Sequence, residues 1–302
     1  MPRDRHRTSR GWHRREDAVG YLMLLPAFVP YAIFAVVPIA WLVYYSFFRW
    51  NGFTDPEFIG AENYARILTD GEWWASVWTT LKFAAGRLLI EIPLGLVLAY
   101  VLFRGVRGGR ILRTFYFLPH VLAPAIIGVI FTFFLAEVRG PVNQILLRLG
   151  IIDAPISFLG DAQNALVSLI GVGSWTNVGI IMLLFFAGLT QVPRELMESA
   201  AVEGAGERQI FLHIVLPLIA PMTRVVVLIT IIGILRSFDI VKTLTDGGPA
   251  GATDVMFTHI YRYFFDPQAV PQMGYASALG VAASVIVAIA AVLHIRLSRG
   301  QR

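Results

Sequence analysis

The stretch ELMESAAVEGAGERQIFLHIVLP, residues 195–217, lies between two long apolar runs and is itself too polar to share the lipid with them. Glu195, Glu198, Glu203 and Glu207 stand beside the small residues Ser199, Ala200 and Ala201, with Gly204 and Gly206 following. Pro193 suits a first helical turn, and Glu195 and Glu198 complement the positive end of a helix dipole, so a short helix is expected over 193–203. Gly204 and Gly206 supply its stop and a turn, and a second, apolar helix is expected from 208 to 217. With so little side-chain bulk at 199–201, another backbone can come close. Two readings fit this: the loop packs on its own helices, or a second protein docks there.

The surroundings are those of a membrane protein. Of the 302 residues, 56% are hydrophobic and 15% charged, with a mean hydropathy of +0.65, whereas soluble domains carry about 25% charged residues. There is no cysteine, which excludes disulfides and thiolate metal sites. The net charge of +5 is almost all arginine, with Lys82 and Lys242 the only lysines. The arginines gather beside apolar runs, which points to an anionic lipid surface as partner and not to nucleic acid. The opening MPRDRHRTSRGWHRRED resembles the charged start of a signal peptide. The apolar run behind it, however, exceeds the roughly 7–15 residues of a signal core and lacks a clear cleavage site, so it reads as an uncleaved first span.

A helix needs about 20 apolar residues to cross a bilayer. Six segments qualify, at 19–48, 77–103, 114–136, 164–190, 218–241 and 273–297, and Pro26, Pro30, Pro38, Pro93, Pro119, Pro124 and Pro221 predict kinks within or at the ends of them. Fifteen arginines fall in 1–18, 104–113, 191–217 and 296–302, against six Arg or Lys in the loops of the other side. The positive-inside rule therefore puts both termini in the cytoplasm. The expected organisation is a basic segment 1–18, one membrane domain 19–297 carrying the loop 191–217, and a tail 298–302. On the outer side, FIGAENYARILTDGEWW (58–74) and TDGGPAGATDVMFTHIYRYFFDP (245–267) are apolar and aromatic. They fit either interfacial helices or a docking surface for an external partner.

The spacing Glu198-Ser199-Ala200, three residues, Gly204, nine residues, Ile214-x-Leu216-Pro217 resembles the EAA loop of permease subunits in binding-protein-dependent ABC importers. Ser199 replaces the usual first alanine, while Ala201, Glu203, Ala205 and the flanking Val192-Pro193 also fit. FIGAENYARIL, TDGGPAGAT and GYASALG are similar to the sugar-importer branch and, within it, to the larger permease of maltose transporters without its large extracytoplasmic insertion. The resemblance implies an all-α, six-span type I importer permease, multi-pass in a bacterial cytoplasmic membrane. In that family the loop is a coupling helix seated in a groove of a cytoplasmic ATPase. The implied partners are a second permease subunit in a heterodimer, an ATPase dimer and an extracytoplasmic substrate-binding protein. The chain itself would bind no cofactor or metal, ATP and Mg being used by the ATPase.

Charges inside the spans are Lys82, Arg87 and Glu91 in the second and Arg224, Arg236 and Asp239 in the fifth. Such residues face a bundle interior, a cavity or the interface. Arg87 and Glu91 at i, i+4, and Arg236 and Asp239 at i, i+3, are spaced to pair. By resemblance, the substrate pathway is lined by the fourth span around Gly173, Trp175, Thr176, Asn177 and Ile180 and the fifth around Arg236, Phe238 and Asp239. Trp175 and Phe238 would stack on a sugar, or else pack the bundle; Thr176, Asn177 and Asp239 would bond its hydroxyls. Four cations against two acids leave room for an anionic substrate such as a glycerol phosphate ester. An intramembrane enzyme is the competing class, yet there is no H-E-x-x-H or G-x-G-D, and His120, His213 and His294 lack metal-ligand spacing. No G-x-x-x-x-G-K is present to hold a nucleotide. An ATP-independent secondary transporter is the other alternative, and the absence of inverted-repeat segments speaks against it.

Overall fold

The computed structural model describes residues 22–299, so the basic segment 1–18 and the last residues of the tail lie outside it. Thirteen helices and one two-stranded hairpin are found among the described residues. Helix α1 runs over Leu22–Tyr45 and widens into a π-helical turn at Ala32–Val36. The widening sits just ahead of Pro38, which has no N–H to give and whose ring crowds the preceding turn. A short hairpin pairs β1 (Phe48–Arg49) with β2 (Glu57–Phe58), Phe48 opposite Phe58 and Arg49 opposite Glu57. Helix α2 (Glu62–Thr69) is tied beneath it by the buried Asn63, whose amide donates to the carbonyls of Ser46 and Phe48.

Two long helices form the frame. Helix α3 spans Gly71–Phe103, started by Asp70, whose carboxylate accepts from the Trp73 N–H at 3.0 Å. Helix α7 spans Ala162–Leu189, started by Asp161, which accepts from the N–H groups of Gln163 and Asn164. These two pack along their length. Helix α4 (Gly109–Val121) crosses α7 so closely that a Cβ on Gly179 would lie 2.0 Å from the carbonyl oxygen of Tyr116. That contact exists only because residue 179 has no side chain.

The span expected at 114–136 is not a single rod. Helix α4 and helix α5 (Pro124–Phe134) meet at 95°. Leu122 and Ala123 take extended conformations there, as the residue ahead of a proline favours. After α6 (Pro141–Arg148) and α7 comes α8 (Arg194–Val202), then α9 (Glu207–Leu218), which contains a π-helical turn at Phe211–Val215. Helix α10 (Ala220–Leu235) leaves α9 at 69°, with Ile219 at the corner between Pro217 and Pro221. The fifth span expected at 218–241 thus ends early, and α11 (Asp239–Leu244) restarts after a three-residue break. Helices α12 (Met256–Phe265) and α13 (Met273–Arg299) complete the chain. Among the described residues four helices are long and apolar enough to cross a membrane, and up to six crossings result if each bent pair counts as one.

Two cores lie along α3 and α7. One gathers Trp73, Phe83, Leu169, Met256 and Leu279 near the hairpin, the other Ala99, Met182, Phe185, Leu189 and Val215 near α8. The outward face keeps large apolar side chains such as Phe34, Leu89, Ile111 and Phe133 exposed, the pattern of a surface solvated by lipid.

Candidate functional site

Between the two cores lies a cavity of about 420 Å³. Its wall is built by α3 (Arg87, Glu91), the corner of α4 and α5 (His120, Pro124), α7 (Thr176, Asn177, Ile180), α10 (Ile229, Thr230, Gly233), the break that follows it (Arg236, Ser237, Phe238) and the first residue of α11 (Asp239). Both a proline corner and the unwound stretch 236–238 open onto this space. Irregular backbone at membrane depth survives only where protein or water covers it, which is why these features and the cavity coincide.

Six of the eight residues expected on the substrate pathway are brought together there: Thr176, Asn177, Ile180, Arg236, Phe238 and Asp239. Gly173 and Trp175 stand outside the wall. Trp175 is 46% exposed and packs against Phe131 at 5.4 Å, on a different face of α7 from Asn177. Gly173 instead serves Arg87: its carbonyl accepts from Arg87 Nη2 at 3.3 Å and from Asn177 Nδ2 at 3.4 Å. A Cβ on it would sit 3.2 Å from Arg87 Nε. Phe238 stands beside Tyr261 with ring centroids 5.1 Å apart. Thr176 spends its hydroxyl on the Val172 carbonyl at 2.9 Å.

The expected Arg87–Glu91 pair is formed, Nε to Oε1 at 2.6 Å, with both side chains buried. The expected Arg236–Asp239 pair is not. Helix α10 ends at Leu235, so the i, i+3 spacing no longer places the two on one helical face, and both are exposed to the cavity. Lys82 and Arg224 do not line it either; Lys82 lies over the Trp78 ring at 5.8 Å. The cation surplus counted along the spans is therefore absent from the wall. His120 and Glu91 were not among the expected pathway residues. Glu91 had a signal, a carboxylate at membrane depth, whereas His120 reaches the wall only through the 95° corner.

The other candidate element is α8 with the turn after it. The helix starts at Arg194, one residue beyond Pro193, and only Glu195 of the acids falls in its first turn. Its end is a Schellman closure: the Ala205 N–H donates to the Ala200 carbonyl at 2.9 Å and the Gly204 N–H to that of Ala201 at 3.1 Å. Gly204 carries φ +90°, a conformation side chains avoid, and open space surrounds it. Glu198, Ser199, Ala201 and Glu203 are exposed, Leu196 is 47% exposed and Val202 89%. Ala200, Ala205, Ile214 and Leu216 face inward and pack on the core near Val215, and Pro217 opens the last turn of α9. Glu207 is bonded to Arg104 of the neighbouring connection.

At the hairpin end a polar network ties α2, α3, α12 and α13 together. Tyr275 donates its hydroxyl to Asp70 Oδ2 at 2.5 Å, and the buried Asp254 carboxylate takes Thr258, His259 and Arg262. Burial works to raise the Asp70 pKa, but the Tyr275 hydroxyl and the Trp73 N–H outweigh it and hold the carboxyl below its ordinary value.

Comparison with known proteins gives a consistent result. The family described as binding-protein-dependent transport system inner membrane component matches residues 91–302. The probable ABC transporter permease protein YurN of Bacillus subtilis is 33% identical over 271 residues, covering 89% of this chain and 91% of its own. The multiple sugar-binding transport system permease protein MsmF of Streptococcus mutans is 31% identical over 281 residues, covering 93% and 95%. Among solved structures, a bacterial ABC transporter involved in the import of the acidic polysaccharide alginate has a chain that superposes with a TM-score of 0.82 at 25% identity, over 97% of this chain and 99% of that one.

Proposed function

Because this chain belongs to the family of binding-protein-dependent transport system inner membrane components, we propose that its cavity passes a sugar or related polyol while the loop 198–217 takes the stroke of a separate ATPase. The chain is a multi-pass permease of a sugar-type ABC importer and a transport component, not an enzyme, as its relatives are. An intramembrane enzyme and a free-standing secondary transporter both fall away with that membership.

The observation that carries the pathway reading is the convergence of Thr176 and Asn177 from α7 with Arg236 and Phe238 from the break after α10 and Asp239 from the start of α11 on one cavity. An aromatic face beside hydrogen-bonding groups is the chemistry that holds a sugar. In this reading both termini and α8 lie in the cytoplasm. A second permease subunit completes the passage, two ATPase copies bind below, and an external binding protein delivers ligand at the hairpin end. This chain holds no nucleotide; the ATPases use ATP and Mg. Alanine at Asn177 or at Asp239 is expected to lower uptake while the complex still assembles. Unchanged uptake kinetics in both variants would assign the two residues to packing and remove the support for the passage.

A further inference from the structure

Arg87 and Glu91 belong to α3, an element to which the pathway reading assigns no ligand contact. Their side chains are 4% and 1% exposed, yet both form part of the cavity wall. Arg87 is held from three sides: by Glu91 Oε1 at 2.6 Å, by the Gly173 carbonyl at 3.3 Å and by the Phe83 ring at 5.2 Å. Glu91 is satisfied on one oxygen only, since Oε2 is buried and has no hydrogen-bond partner. A buried acceptor without a donor is unfavourable. A buried ion pair that serves packing alone can be exchanged for apolar side chains without loss. Ionisable groups at membrane depth mark function by default.

The charges on the wall decide which ligand fits. Arg87 and Arg236 supply two positive charges, Glu91 and Asp239 two negative ones, and the sum is zero. His120 adds charge only when protonated. An entering carboxylate or phosphate would find Arg87 already paired and would meet two carboxylates. An uncharged ligand rich in hydroxyls brings the donor that Glu91 Oε2 lacks.

We propose that Arg87 and Glu91 form a ligand subsite. Glu91 Oε2 accepts a hydroxyl of an uncharged sugar or polyol, Arg87 fixes the carboxylate, and the pair selects neutral over anionic ligands. This deepens the pathway reading and rests on it.

The test uses the assembled permease and ATPase complex in nanodiscs. Thermal unfolding is followed during titration with the neutral trisaccharides maltotriose, cellotriose and raffinose and with the acidic trigalacturonate. At least one neutral trisaccharide is expected to stabilise the complex, and trigalacturonate is not. Arg87→Met combined with Glu91→Leu keeps apolar volume and should assemble, but the apparent affinity for that sugar should fall at least tenfold. Glu91→Gln alone preserves shape, leaves the wall with one net positive charge and should admit trigalacturonate. This single variant carries the test should the apolar pair fail to assemble. Unchanged sugar affinity in the apolar pair, or in Glu91→Gln without any gain for the acid, overturns the subsite. Stabilisation of the unaltered complex by trigalacturonate, or by none of the four, overturns the neutral selection. If Asn177→Ala loses the response while the Arg87–Glu91 variants keep it, only the subsite is wrong; if none of them changes it, the passage is wrong as well.

Discussion

Gly204 and Ala201 separate the two readings of the loop that follows α7. Gly204 closes α8 at φ +90° with nothing within 4 Å of where a Cβ would be, so a side chain there meets backbone strain and no steric neighbour. For an L-residue in the left-handed region that strain is about 1–2 kcal/mol, and a β-branched one does worse. Gly204→Val should therefore populate other turns, cutting the fraction of chains with the observed Schellman closure by roughly 5- to 30-fold and the apparent ATPase affinity by the same factor. Ala201 is exposed, so Ala201→Arg disturbs nothing within the chain and should change its stability by less than about 0.5 kcal/mol. Against a docked ATPase the arginine would open the contact and leave partner polar groups unpaired, about 1–3 kcal/mol each, or roughly 5- to 150-fold in affinity. The assay is co-purification of the ATPase with each variant from detergent, with thermal unfolding of the permease alone as control. Full retention of the ATPase in both variants, with the permease intact, would refute the docking argument and leave α8 as an ordinary loop helix.

Two further outcomes are expected. The chain has no cysteine, so Arg107→Cys introduces a unique thiol; it should resist a membrane-impermeant maleimide in intact cells and react after lysis, whereas labelling from outside would reverse the proposed orientation. The Asp70 carboxyl is held below its ordinary value in the fold, so the stability it adds is present above about pH 4 and fades as the pH drops through the folded value. The gap in melting temperature between the unaltered protein and Asp70→Asn should therefore narrow below about pH 4, and a gap constant from pH 6 to pH 3 would show that the charge of Asp70 contributes nothing.

What could be read from the sequence was set by period and by composition. Long apolar runs fixed where crossings lie, and the i, i+4 spacing of Arg87 and Glu91 fixed their pair because α3 continues unbroken through both. The same logic failed for Arg236 and Asp239. Nothing in LRSFD carries a proline or glycine to announce the end of α10 at Leu235, and the helix that restarts beyond it, α11, packs against α5, a partner distant in the chain. Trp175 failed for a different reason. It stands two positions before Asn177, about 200° around a helix, and an apolar helix buried on most sides does not say which face meets the cavity. Prolines announced the two corners, but angles of 95° and 69° follow from tertiary packing and not from the proline itself.

The loop and the cavity are one continuous path. Helix α8 closes through Gly204 onto α9, α9 turns 69° at Ile219 into α10, and α10 ends in the unwound residues that line the cavity opposite Arg87 and Glu91. The inward side chains Ala200, Ala205, Ile214 and Leu216 seat this arm on the core near Val215, while its outer face, with Val202 and Ala201, is bare. A push on the bare face therefore has a short way to travel: through a packed elbow to a helix of 16 residues, about 24 Å long, whose far end is the cavity wall. Packed helices transmit such a displacement as rigid pieces and yield at their corners. In the stretch 236–238 the i→i−4 ladder lapses after the Arg236 N–H, with Ser237 held only by a tighter bond to the Ile234 carbonyl, and here the wall can yield without breaking a span. The same break that left Arg236 and Asp239 unpaired is thus, in the proposed cycle, the point at which an ATPase stroke received at α8 reaches the ligand.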